Sequence, residues 1–198
     1  MGTGPYRVVG VHPRLLQRHL LGFADDRCQP APQPLQFGFG TIAGAARNGH
    51  ATVIRALIEV GADPLKAVKT GASPLYIACQ NGHTDAANAL LDAGADPEAA
   101  KENGVTPLLV ACLNGHEEPA RLLLQHGAMV DAANEVGGGA TPLLVACGEG
   151  REALAQAMLL HGASVDKPQH DGGTPLIAAC ARGYVQIARL LLEHGACS

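Results

Sequence analysis

Apolar residues along this chain come in paired short blocks. Leu108-Leu109-Val110-Ala111-Cys112 is followed, after the polar break Asn114-Gly115-His116, by Ala120 and Leu122-Leu123-Leu124, and then by Gly127. Each block fits about two helical turns, so the pattern predicts a helix, a tight turn, a second helix and a polar link. The pair of blocks returns along the chain. Thr/Ser-Pro-Leu stands at Ser73, Thr106, Thr141 and Thr174, with steps of 33, 35 and 33 residues, and Gly-Ala follows in phase at Gly61, Gly94, Gly127, Gly162 and Gly195. A period of this length predicts a stacked array in which each unit buries its apolar face against its neighbours.

Residues 101–133 show the physics of one unit. Thr106 can cap a helix by accepting a free backbone N–H, and Pro107 suits the first helical position. The first helix should run to about Asn114 and stop at Gly115, the residue that best tolerates a left-handed backbone. Pro119 falls in the first turn of the second helix, where its missing N–H does no harm. Leu122, Leu123 and Leu124 should face inward, with Glu118, Arg121 and Gln125 toward water. Helices this short are marginal alone, so stacking must supply the core. The polar, glycine-rich links should form extended fingers that turn back to the next cap.

Composition narrows the picture. Of 198 residues, 47% are apolar but only 3% aromatic, so the core must be built from Ala, Leu, Val, Ile and Cys. The net charge is −4 and no Lys/Arg cluster is present, which argues against nucleic acid as partner. No apolar run reaches the ~20 residues of a membrane span. Four of six cysteines, Cys79, Cys112, Cys147 and Cys180, share one position in an apolar helix. Helices in contact lie about 8–10 Å apart, too far for disulfides or shared zinc. They are expected to be small buried hydrophobes in a reducing compartment, cytoplasmic or nucleo-cytoplasmic.

Taken together, Gly104 to Cys112, Asn114-Gly115-His116 and Leu122 to Ala128 resemble the ankyrin repeat, and the units starting near Val68, Asn134 and Gln169 repeat the match. A degenerate first copy runs from Gly40-Thr41 through Asn48-Gly49-His50 to Gly61-Ala62-Asp63. The resemblance implies an all-α ankyrin-repeat solenoid of helix-turn-helix units joined by short β-hairpin-like fingers. The domain would occupy residues 36–198, with units at about 36–67, 68–100, 101–133, 134–168 and 169–198. The chain departs from the family at two positions. The usual His after Thr-Pro-Leu is replaced by Tyr76, Leu109, Leu144 and Ile177. The frequent finger Asn is replaced by Leu65, Glu98, Asp131 and Asp166, which argues against asparaginyl hydroxylation. Two extra residues before Thr141 enlarge one finger around Gly137-Gly138-Gly139, a change that a loop accommodates without disturbing the stack.

No catalytic constellation is found. Gly148-Glu149-Gly150-Arg151-Glu152-Ala153 has the form of a dinucleotide fingerprint, with Asp166 downstream. The same positions in the third unit read Asn114-Gly115 without the first glycine, and Thr141-Pro142 starts a helix, so the fingerprint is a turn. The Gly137 run lacks the Lys-Ser/Thr of a phosphate loop. His50, His83 and His116 follow the turn Asn-Gly, and His126, His161 and His194 precede Gly-Ala. These are helix-end positions where an imidazole can bond a free carbonyl or the next unit. No catalytic residue, cofactor or metal site is expected.

Function should lie in what varies between units. Finger tips and first-helix ends of a stacked array line one concave face. The candidates on it are Lys69, Glu102, Asn103, His170 and Asp171 on the fingers, with Tyr76, Gln80, Asn81, Leu113, Asn114, Glu149 and Arg182 on the helices. Tyr76 and Leu113 are expected to be the apolar anchors. The resemblance implies non-catalytic recognition of a partner protein by a monomer, with no enzyme activity. The alternative is a targeting or regulatory module of a larger enzyme such as a kinase or ubiquitin ligase.

The ends differ. Residues 1–35 break the pattern: Arg7, Arg14 and Arg18 among Leu15, Leu16, Leu20 and Leu21 predict a short amphipathic helix, and residues 29–34 a Pro-rich spacer. A cap over the first unit is the expected role; a transit peptide or a linker are the alternatives. At the other end Leu190, Leu191 and Leu192 complete the pattern without polar substitution. That creates the expectation of a continuing array or a fragment.

Overall fold

The computed structural model of the protein describes residues 41–197. The helix and spacer expected in residues 1–35 lie outside them. Ten helices are described, in five pairs. They are α1 (Thr41–Arg47) and α2 (Ala51–Glu59), α3 (Pro74–Gln80) and α4 (Thr84–Asp92), α5 (Pro107–Asn114) and α6 (Glu117–Gln125), α7 (Pro142–Gly148) and α8 (Glu152–Leu160), and α9 (Pro175–Arg182) and α10 (Val185–Glu193).

The caps act as their residue types dictate. The hydroxyls of Ser73, Thr106, Thr141 and Thr174 accept the amides of Tyr76, Leu109, Leu144 and Ile177 at 3.0, 3.2, 3.2 and 3.3 Å, and each is followed by Pro in the first turn. At the far end of α5, Gly115 takes φ 73°, and the next amide, that of His116, reaches back to the Ala111 carbonyl at 2.9 Å. The second helices have no side-chain cap.

The first helices α1, α3, α5, α7 and α9 pack against one another in order, and the second helices form a parallel layer, packed less extensively on their neighbours. The residues between first helices explain the closeness: Ala78-Cys79, Ala111-Cys112 and Ala146-Cys147 are fully buried and small. In the second to fifth pairs the second helix contributes one large central residue, Leu90, Leu123, Met158 or Leu191, also fully buried. Leu191 is thus a core residue. In the last pair only Leu192 of the three consecutive leucines is exposed, with Leu190 half-buried.

Each finger closes on one backbone bond. Val68 donates to the Ala72 carbonyl, Lys101 to Val105 and Gln169 to Gly173, all at 3.0 Å. Asn134 donates to Ala140, also at 3.0 Å, so the two extra residues are absorbed inside the turn and the next cap is unmoved. The pairing Asn134–Ala140 is the one bridge, and no longer strand forms among the described residues.

Two further ladders fasten unit to unit. The first runs through the residue after each helix-ending glycine. His83 Nε2 donates to the Arg47 carbonyl at 2.9 Å and His116 Nε2 to the Gln80 carbonyl at 3.1 Å. The same side chains lie over the preceding glycine: a β-carbon on Gly82 would stand 2.6 Å from the His116 ring. Arg151 and Tyr184 cover Gly115 and Gly150 in the same manner. The second ladder uses the acids at the finger position. Glu98 accepts the Met129 amide at 2.8 Å, Asp131 the Ser164 amide at 3.1 Å and Asp166 the Cys197 amide at 3.1 Å. Leu65, the carbon side chain in the first unit, cannot take part.

The pattern fails as a guide to burial in the last pair. Cys79, Cys112 and Cys147 are buried as expected, but Cys180 is exposed. Among the described residues α9 has a first-helix neighbour, α7, on one side only. Burial pushes the thiols of Cys79, Cys112 and Cys147 up to about 12 from the ordinary value near 9.

Candidate partner-binding face

The twelve candidate residues divide by what holds them. Eleven are exposed; Tyr76 is not. At 5% exposure its ring is packed among the first helices, at the place taken by Leu109 and Leu144 in later units, and burial raises its phenol above the usual value. Tyr76 is therefore a stacking residue, and the expectation of an apolar anchor there is corrected. The position directly after Thr-Pro-Leu faces the next unit, whatever residue fills it.

Several exposed candidates are held by the scaffold. Asn81 Nδ2 donates to the Ile77 carbonyl at 2.7 Å, which also takes the Asn81 amide, and Asn114 Nδ2 donates to the Gln80 carbonyl at 3.0 Å at the end of α3. Asn103 Oδ1 accepts the Val105 amide at 3.3 Å and shapes its own finger. Asp171 accepts from Gly173 N and Gln169 Nε2, both at 2.8 Å, and these bonds hold its carboxyl below the ordinary range.

His170 locks the enlarged finger. Its amide donates to the Gly138 carbonyl at 2.8 Å, its Nε2 to Glu135 at 3.0 Å, and its ring covers Gly139. Gly139 has φ 77°, and a β-carbon there would stand 2.6 Å from the ring, so only glycine fits. Glu149 lies 3.8 Å from Arg182 across the last two first-helix ends; such an exposed pair adds little stability.

The remaining candidates point outward with no such tie. Lys69 and Glu102 sit on successive fingers, with the Glu102 chain against Gly71. Gln80 offers its carbonyl to the scaffold and leaves its side chain exposed. Leu113, 45% exposed at the end of α5, has the surface of an anchor. Val136 at the enlarged finger tip, 72% exposed, belongs beside it in kind.

Four of the six helix-end imidazoles bond carbonyls as their positions imply. His83 and His116 bond the preceding unit, while His161 and His194 donate from Nδ1 to the Ala157 and Leu190 carbonyls, at 2.9 and 2.8 Å. Among the described residues no group of three His, Cys, Asp or Glu could hold a metal, and no helix is long and apolar enough to cross a membrane. Gly148 to Ala153, the dinucleotide-like stretch, runs from the end of α7 through the turn Glu149-Gly150-Arg151 into the start of α8, with its second glycine covered by Tyr184. A small cleft of about 110 Å³ beside Leu65 is lined by Pro64, Leu75, Ala95 and Asp96 and gathers no reactive set.

A family model described as ankyrin repeats (3 copies) matches residues 42–134 and 131–198. No curated protein matches the chain.

Proposed function

The chain belongs to the ankyrin repeat family, whose repeats are generally protein–protein interaction modules, and on that premise we propose that it binds a partner protein, without catalysis, on a concave surface lined by finger tips and first-helix ends. One observation carries the reading. In the units packed on both sides, the repeating positions of the first helices are buried, whereas Lys69, Gln80, Glu102, Leu113 and Val136 vary between units and stand exposed. Close packing of the first-helix layer supports the curvature, because a stack bends toward the layer whose members approach most closely. A single copy carries the whole face, so the protein acts as a monomer. Leu113 is the proposed anchor, since a few well-placed apolar residues supply most of the energy of an interface.

The test is affinity capture with the intact protein and with Leu113→Asp, alongside Gln125→Ala on the second-helix layer as control. Proteins lost with Leu113→Asp, kept with Gln125→Ala, and lost without change in thermal stability support the face. Equal capture by all three sinks it.

A further inference from the structure

The exposed, varying positions have a charge order along the stack. At the start of the array Arg47 ends α1 and Lys69 tips the first finger, both exposed. From the second finger onward the tips turn acidic: Glu102, then Glu135, then Asp171. The helix ends run from Arg47 through uncharged Gln80 and apolar Leu113 to Glu149, and the last of them, Arg182, is a cation beside Glu149. Two cations near this face in the later units are engaged locally, while Arg151 is exposed over Gly115. Arg182 lies beside Glu149, and half-buried Lys167 donates to the Asp131 carbonyl at 3.0 Å. Lys101 is half-buried at the foot of its finger. The exposed apolar pair Leu113 and Val136 lies on the middle units of the stack, beside the acids Glu102 and Glu135. Val136 reaches back toward the preceding finger, where a β-carbon on Gly104 would lie 3.4 Å from its methyl.

Resting on the recognition face proposed above, we infer that its occupant is an extended protein segment of opposite polarity, acidic over the first two units, apolar at the centre and basic over the last units. The order of the stack fixes the order of the segment. Packed helices are about 8–10 Å apart, so five units span about 32–40 Å; an extended chain advances about 3.3 Å per residue and covers this in roughly ten to twelve residues. Complementary charge then sets orientation and partner choice, while the apolar centre supplies affinity. A uniformly acidic or uniformly basic segment meets like charge over part of the face and is rejected.

The probe is a fluorescent twelve-residue peptide with an acidic third, a Leu/Val-rich middle third and a basic third, made in both chain directions. A peptide of the same composition in shuffled order is the control. Binding is read by anisotropy at two salt concentrations. One direction should bind at least tenfold tighter than the shuffled peptide at low salt, with the margin shrinking at high salt. Lys69→Glu and Glu102→Lys should each lower its affinity severalfold. Equal binding of ordered and shuffled peptides, or indifference to Lys69→Glu, overturns the assignment. If that happens while Leu113→Asp still abolishes capture of cellular proteins, the polarity is wrong and the face stands. If Leu113→Asp abolishes nothing, the face itself falls.

Discussion

Leu109 and Ile177 occupy the same place in the third and fifth units, directly after Thr-Pro-Leu, yet one is 1% exposed and the other 56%. Leu124 and Leu192 make the same pair on the second helices, at 6% and 50%. The local structure of the two units is alike: the same cap, the same proline, the same left-handed glycine at the end of the first helix. What differs is the neighbour. The third unit is packed on both sides, the fifth on one side among the described residues. Burial here belongs to the junction and not to the unit. A residue's contribution should therefore follow its junction even where sequence and helix are the same.

The sharpest way to break that statement is a paired truncation. Leu109→Ala should cost about 2–5 kcal/mol, the range for a fully buried side chain that leaves a cavity. Ile177→Ala should cost less than about 1 kcal/mol, as for a surface site. Equal losses in urea denaturation would mean that something covers the last unit in solution. A smaller contrast is expected at the helix-ending glycines. Gly82→Ala and Gly183→Ala both force alanine into a left-handed backbone, at φ 76° and 75°, for about 1–2 kcal/mol. Only Gly82 is covered, so its substitution also displaces His116 from the Gln80 carbonyl, adding roughly 1 kcal/mol. Thermal melts of the two variants should differ by that increment.

The third contrast sets a buried thiol against its own unfolded state. Cys112 holds its proton in the folded chain up to about pH 12, while an unfolded thiol ionises near 9. The folded value is the raised one, so this contribution is fully present below about pH 9 and is lost as pH rises from there toward 12. One proton per thiol corresponds to about 1.4 kcal/mol per pH unit. The stability difference between pH 8 and pH 10 should accordingly shrink by roughly that amount in Cys112→Ala. In native protein a thiol reagent should label Cys180 and leave Cys112 untouched, since only the former is exposed. Labelling of both at the same rate would contradict the packed junction.

How much of this was legible follows from the range of the interactions. Caps, prolines and left-handed glycines are decided within a few residues, and Thr106, Pro107 and Gly115 could be placed from the sequence directly. The period gave the pairing of helices because every unit repeats it. Tyr76 was misplaced because its exposure depends on α5, some thirty residues downstream. Cys180 was misplaced for the converse reason: the pattern says what the residue is suited to pack against, and not whether a partner is there. The imidazoles were placed at helix ends correctly, but that His83 and His116 bond the preceding unit, while His161 and His194 bond their own helices, required the stack. The departures Glu98, Asp131 and Asp166 read as a lost asparagine, and only the neighbouring amide revealed them as acceptors. Of the candidate face, position was legible and engagement was not, as the backbone ties of Asn81 and Asn114 illustrate.

Those three acids have a practical consequence. Glu98 and Met129, Asp131 and Ser164, and Asp166 and Cys197 each place the acceptor on one unit and the donor on the next. None of the three amides belongs to a helix, so their exchange with deuterated solvent reports docking between neighbours and not helix formation. Each successive junction from the second unit onward carries one such amide, which makes the protein a solenoid with its own row of gauges, readable one joint at a time.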